Sequence, residues 1–346
     1  MESGKKVILL ALVFALACGL CVAGDSPAAA GGAQEVLRVY NASEYIDRAT
    51  IADFEKEFGI RVVYSEFESN EEMYAEVTRN PKGYDVLVPS DYTIDRLIKE
   101  GKLEKLDFGK IPNISNVAPQ HLMDNEYVVP YMVGTLGILY NKKFVSNPVD
   151  SWESLWDPQY KGKVLMWDSQ RDVLAVGLKL LGFSVNSSSD EELAQAKERL
   201  IAQRPIVKAY DTDIIRDMMI ASEGYLALMY SGEAKTATDK NPYLAYVVPK
   251  EGSNKWLDGF VIVKNAENLR EAYLFIDFMC RPRIAIRNMT ATGYTSPIHS
   301  VWGEFCEDPI MFPSDEELAR CEAFLYDKEA TQKYDDVWKQ VRGGRQ

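Results

Sequence analysis

The chain has 346 residues, 47% hydrophobic and 26% charged, a composition that excludes intrinsic disorder and is long enough for two lobes with separate cores. Its 52 acidic residues outnumber 39 basic ones, and the formal charge of −13 argues against a surface for nucleic acid. An acidic surface suits a cationic small ligand, although solubility is the plainer use of most of these charges.

Lys5 and Lys6 precede an apolar run from Val7 to Ala17, too short to span a bilayer as a mature helix and formed like a secretory signal. Ala15-Leu-Ala-Cys18 resembles a bacterial lipoprotein cleavage box, which makes Cys18 the expected lipidation site and Cys21 a second choice. The rival is ordinary cleavage near Ala23 or Gly24. Residues 1–24 are thus read as a signal and lipid-anchor region, and residues 25–35, rich in Ala, Gly and Pro, as a flexible tether. Three later cysteines remain, Cys280, Cys306 and Cys321. Cys306 and Cys321 could close a surface loop, but spacing alone does not bring their Cα atoms within bonding reach. With only His121 and His299, far apart in sequence, parts for a zinc site or a histidine-based triad are few, and no metal or cofactor is expected.

Val36 to Tyr40 reads as a strand, Ile46 to Phe58 as a helix stopped by Gly59, Ile60 to Phe67 as an alternating strand, Asn70 to Val77 as a helix, and Tyr84 to Val88 as a buried strand ending at Pro89. This βαβαβ order implies a parallel sheet flanked by helices, with ligands bound outside the carboxyl ends of the strands. Two ends then matter most, Asn41 to Tyr45 and Pro89 to Tyr92. Val133 to Tyr140 looks like a strand whose glycines permit a bend, placed to cross between lobes. A second series follows: strand Val164 to Met166, helices Arg171 to Leu181 and Glu191 to Gln203, and strands Tyr225 to Tyr230 and Tyr243 to Val248. Gly259 to Val263 and the helix Ala272 to Phe278 read as a return to the first lobe, and the tail from Ser314 reads helical.

Four phrases, Phe54-Glu-Lys-Glu-Phe-Gly-Ile60, Tyr84-Asp-Val-Leu-Val-Pro-Ser90, Ser151-Trp-Glu-Ser-Leu-Trp-Asp-Pro-Gln-Tyr-Lys-Gly-Lys163 and Asp258-Gly-Phe-Val-Ile-Val-Lys264, together resemble the periplasmic spermidine/putrescine-binding proteins of ABC transporters, over residues 36–344. The resemblance implies an α/β, two-lobe periplasmic binding protein of type II, each lobe a mixed, mainly parallel sheet flanked by helices and joined by a double hinge. It implies capture of a polyamine in the cleft and delivery to a membrane permease and its ATPase, with no enzymatic step. The expected division is 36–132 plus 257–299 for lobe 1 and 133–256 plus 300–344 for lobe 2.

A protonated polyamine needs acceptors for its ammonium groups and aromatic walls for its methylenes. Carried over position by position, the resemblance places the ligand-binding residues at Ser43, Glu44, Tyr45, Ser90, Tyr92, Ser169, Asp172, Tyr230, Trp256, Asp258 and Tyr294. Alternation in an extended segment puts Trp256 and Asp258 on one face, where charge and ring could serve a single ammonium. Other uses exist for the rest. Ser169-Gln-Arg-Asp172 has the form of a capping box, Ser43 or Glu44 could cap the first helix, Ser90 could be a turn residue, and each tyrosine could belong to the core. The chain departs from the better-known spermidine binders at Ala42, Ser169, Tyr230 and Phe324, changes that remove charge and aromatic surface and admit putrescine at least as readily as spermidine. Alternatives of the same fold are a binding protein for an amino acid or thiamine, or a lipid-anchored surface antigen; an anionic ligand would call for Arg or Lys at the strand ends, where none is evident. A hydrolase using Asp168 and Asp172 would need them to flank a scissile bond.

Overall fold

The computed structural model describes residues 35–122, 126–212 and 214–343; the expected signal region, the expected lipidation site at Cys18 and residues 25–34 of the expected tether lie outside them. In the first part of the chain, β1 (Val36–Ala42), α1 (Arg48–Phe58), β2 (Arg61–Phe67), α2 (Asn70–Arg79), β3 (Val86–Leu87) and α3 (Asp91–Lys99) alternate as the pattern of apolar residues implies. β1 lies between β2 and β3, parallel to both. Gly59 ends α1 at φ 71°, the left-handed position that a residue without Cβ adopts freely. β4 (Val129–Asn141) then leaves this sheet.

The second series is β5 (Val164–Trp167), α4 (Gln170–Leu180), α5 (Asp190–Gln203), β6 (Val207–Asp211), α6 (Ile215–Ile220), β7 (Leu226–Tyr230), α7 (Ser231–Lys240) and β8 (Leu244–Val247). β5 is parallel to β6 and β7. The chain returns through β9 (Lys255–Ile262) to α8 (Leu269–Met279) and α9 (Pro282–Thr292), and closes with α10 (Asp315–Ala319) and α11 (Lys328–Val341). The strand order is β2-β1-β3-β9-β4-β7-β5-β6, with β8 also on β4. β4 is shared between the two series. Its first half, Val129 to Thr135, runs antiparallel to β9, and its second half, from Leu136, runs antiparallel to β7 and β8.

The inner strands of both series are buried on both faces, whereas the edge strands β2 and β6 stay partly exposed. In the first, Leu37, Val39 and Ile262 meet Phe54, Phe275 and Ile276 on one side. Leu87 and Val261 meet Met73, Ile94 and Leu97 on the other. In the second, alternate residues divide cleanly: Val164, Met166 and Leu228 face Trp152, Leu174 and Leu200, while Leu165 and Met229 face Met219 and Ala237. Within the stretch 300–344, expected in lobe 2, Val301 and Met311 pack in the first core and Tyr334 and Val341 in the second. The tail crosses back between them.

Sequence reading missed β6, α3, α6, α7 and α9 and placed β9 too late. The pleat of β9 continues through Lys255 and Trp256 because pairing with β4, and not local apolarity, sustains it. The glycines of β4 act as clearances for rings. A Cβ at Gly134 would sit 2.4 Å from the Trp256 ring, and one at Gly137 would sit 2.5 Å from that of Tyr246. Cys280, Cys306 and Cys321 are all free thiols, so the possible Cys306–Cys321 bridge is not formed.

Candidate functional site

The carboxyl ends of β1, β3, β5 and β7 open on one cavity of ≈ 770 Å³, and all eleven residues expected to bind ligand line it. From β1, Ser43, Glu44 and Tyr45 turn toward it, Glu44 at φ 53°, sparsely populated for a residue with a side chain. Neither Ser43 nor Glu44 caps α1; Asp47 does, accepting from the Ala49 amide at 2.9 Å. The rival use of Ser43 and Glu44 is thereby removed. Ser90 precedes α3 without a side-chain cap and is held instead by Asn70, which donates to its Oγ at 2.9 Å and accepts from its amide at 3.0 Å. Tyr92, one residue into α3, donates its hydroxyl to Glu71 at 3.1 Å.

From the other side, the capping box that was the alternative use of Ser169 and Asp172 is absent, since Ser169 makes no capping hydrogen bond. Asp172 is 2% exposed and accepts the Tyr230 hydroxyl on Oδ2 at 2.6 Å. Asp168 pairs with Arg342 at 3.3 Å. On β9, Trp256 and Asp258 share a face by strand alternation, and the backbone at Asp258 forms an isolated antiparallel β-bridge with that at Ser90.

The rings form a continuous belt across the cavity. Trp167 meets Tyr230 at 5.4 Å, Tyr230 meets Trp256 at 6.0 Å, Trp256 meets Tyr294 at 5.1 Å and Tyr294 meets Tyr45 at 5.4 Å, each edge to face. Tyr294 is seated by Gly232, where an added Cβ would lie 2.3 Å from its ring. Edge-to-face chains of this kind fix ring planes and leave π faces open to a cation or a methylene.

Burial governs the acids. It pushes Asp258 up from the ordinary carboxylate range to about 6, with the nearby hydroxyls of Tyr45 and Ser90 pulling it back without closing a hydrogen bond on Oδ1. Asp91 is raised by burial, and further by Asp258, to about 8, so at neutral pH it carries a proton. Asp172 is also raised by burial. Asp172 Oδ1, Asp258 Oδ1, Trp256 Nε1 and the Tyr45 hydroxyl are buried without hydrogen-bond partners. Native interiors rarely leave such atoms orphaned, and two bare carboxylate oxygens in a ring-lined hollow call for donors.

Sequence reading missed several lining residues. Trp167, directly before Asp168 at a strand end, was within reach of the strand-end rule. Glu71, Asp91, Arg216, Glu233 and Trp338 arrive from helices whose placement is tertiary. The expectation of no cleft arginine is also corrected, for Arg171 and Arg216 both line the cavity. Arg171 is turned into the wall, donating to Asn186 at 3.1 Å with its guanidinium 4.3 Å from the Phe324 ring centre and 4.6 Å from that of Tyr334.

The family model for bacterial extracellular solute-binding proteins matches residues 49–313. The spermidine/putrescine-binding periplasmic protein of Salmonella typhimurium is 33% identical over 341 residues, 95% of this chain and 98% of that protein. The putrescine-binding periplasmic protein SpuD of Pseudomonas aeruginosa is 31% identical, across 99% of both. Among solved structures, a spermidine/putrescine ABC transporter protein of Listeria monocytogenes superposes with a TM-score of 0.85 at 36% identity, covering 90% of this chain and 100% of that one. The two-lobe α/β architecture, the ring-lined cavity between its strand ends and these relatives agree: the chain belongs to the bacterial extracellular solute-binding proteins, with the periplasmic spermidine/putrescine-binding proteins of ABC transporters.

Proposed function

We propose that the protein captures a protonated polyamine, putrescine or spermidine, between its lobes and hands it to an ABC permease powered by its ATPase. The observation that carries this reading is the pairing of two unpartnered buried carboxylate oxygens, on Asp172 and Asp258, with the belt of rings that joins them. An ammonium at Asp258 gains a counter-charge and the Trp256 and Tyr294 rings; one at Asp172 gains a counter-charge and the Tyr230 and Trp167 rings, while methylenes lie along the belt. Ser43, Tyr45, Ser90, Tyr92 and Ser169 supply further wall and oxygen acceptors. β4 and β9 are the crossings that act as hinge, and closure follows because the ligand has more acceptors in the closed state than in the open one. Two charge pairs and desolvated methylenes support binding of about −8 kcal/mol or somewhat stronger, in the micromolar to submicromolar range.

Cys18 is read as the acylated residue that tethers the protein on the outer side of a membrane; loss of labelled fatty acid from a Cys18→Ser protein would support this, and retention would refute it. No helix among the described residues is long and apolar enough to cross a membrane.

The decisive measurement is isothermal titration calorimetry of the mature protein with putrescine, spermidine, cadaverine and arginine. Heat is expected for the polyamines, and its absence for all of them would end the assignment. Asp258→Asn and Trp256→Ala are each expected to weaken binding at least tenfold; unchanged affinity in both would place the ligand elsewhere.

A further inference from the structure

The cavity's two arginines differ in what they do. Arg171 donates one nitrogen to Asn186 and lies against the Phe324 and Tyr334 rings, with its Nε buried and unpartnered, whereas Arg216, on α6, reaches across to the β1–α1 loop. Its Nη1 and Nη2 donate to Glu44 Oε2 at 3.3 and 3.4 Å, and Nη1 also donates to Glu233 Oε2, on α7, at 3.0 Å. Asp217 stands 3.6 Å from Nε. Glu44 and Arg216 belong to different strand series, so the contact spans the cleft. Arg216 keeps 21% of its side chain exposed and Glu44 75%, which places the pair at the cavity mouth with Glu233 beneath it at 22%.

The carboxylates therefore fall into two groups. Asp172 and Asp258 each present a buried oxygen without a donor. Glu44 already has a cation, supplied by the protein. We propose that Arg216 is a specificity-determining residue: by holding Glu44 across the cleft it leaves vacant acceptors for two ammonium groups and selects a diamine over a triamine. This inference rests on the polyamine reading and adds ligand length to it. A third ammonium directed at Glu44 would have to displace a planar guanidinium matched to two carboxylates and would face a like charge at the mouth. A diamine has only two ammonium groups to place, and Asp258 and Asp172 each offer one an unpartnered oxygen, so it has no need of Glu44.

Titration calorimetry with putrescine and spermidine on the wild type, Arg216→Gln and the double variant with Glu44→Gln tests the inference. The wild type is expected to bind putrescine more tightly than spermidine. Arg216→Gln should tighten spermidine at least tenfold and putrescine less than threefold, and adding Glu44→Gln to Arg216→Gln should erase the gain. A spermidine-to-putrescine ratio within twofold of wild type in a folded Arg216→Gln protein overturns the inference while the polyamine reading stands. So does a wild-type protein that binds spermidine more tightly than putrescine, an arm that decides the matter even if Arg216→Gln fails to fold. Silence of the wild type toward both amines overturns the reading itself, and the inference with it.

Discussion

Asp258 shows how one side chain couples ligand, proton and stability. With its carboxyl raised to about 6, it is ionised at pH 7.5 and largely protonated at pH 5. An ammonium binds the ionised form, so affinity for putrescine should be nearly flat above pH 7 and fall about tenfold per unit well below 6 from this group alone; calorimetry from pH 5 to 8 reads this. The sign for stability runs the other way. Between about 4 and 6 the folded state holds the proton more tightly than the unfolded chain, so the contribution of this group is present at the acid end and lost as pH rises through about 6. Asp258→Asn should flatten both dependences, and a pH profile of binding identical to wild type would sink this account. Gly232 makes a steric statement at the same scale. Gly232→Ala drives a Cβ into the Tyr294 ring, with an expected cost of about 1–3 kcal/mol and a loss of affinity at least tenfold, checked by urea unfolding and titration. Neither glycine clearance, at 134 or 232, is legible in sequence, because each depends on a ring that arrives from a distant segment.

At the scale of elements, α1 shows what local pattern reveals and what it leaves open. Its apolar spacing and the Gly59 stop were legible, but its start was not: Ser43, Glu44 and Asp47 all have cap chemistry, and Asp47, directly before Arg48, takes the role while Arg287 on α9 also holds its carboxylate, at 2.8 and 3.0 Å. Asp47→Ala should destabilise the protein by about 1 kcal/mol for the cap. The lost Arg287 pair adds to that, and the sum is read as a lower urea midpoint at unchanged slope. The Ser169–Asp172 pattern is the converse case. Its capping form is present in sequence, yet the Tyr230 hydroxyl, brought in by β7, claims the carboxylate, and the helix starts without the box. The short helices α6 and α7 went unseen because α6 is six residues long and α7 is mostly small and polar, burying chiefly Ala234 and Ala237.

For the whole molecule, the two strand series share β4 and are linked again by β9 and by the tail, so ligand-driven approach of the lobes has few connections to resist it. Saturation with putrescine should reduce the radius of gyration measured by solution scattering, and an unchanged value would rule out closure on this ligand. At a hundredfold excess over Kd, binding to the folded state alone adds about 2.7 kcal/mol to unfolding, which calorimetry reads as a higher Tm. Trp256→Ala, binding more weakly, should show a smaller rise at the same putrescine concentration.

Sequence by itself determined the alternation of strands and helices, the two buried series, the strand ends at which a site would form and, through the Trp256–Asp258 alternation, a face carrying both charge and ring. Those features are local, set by the periods of strand and helix and by the turn residues between them. Tertiary structure alone decided which oxygens remain without donors, which rings touch, that Arg216 reaches Glu44, and that Cys306 and Cys321 stay apart. Each is a distance between residues far apart along the chain, and such distances exist only once hydrophobic burial has brought the segments together.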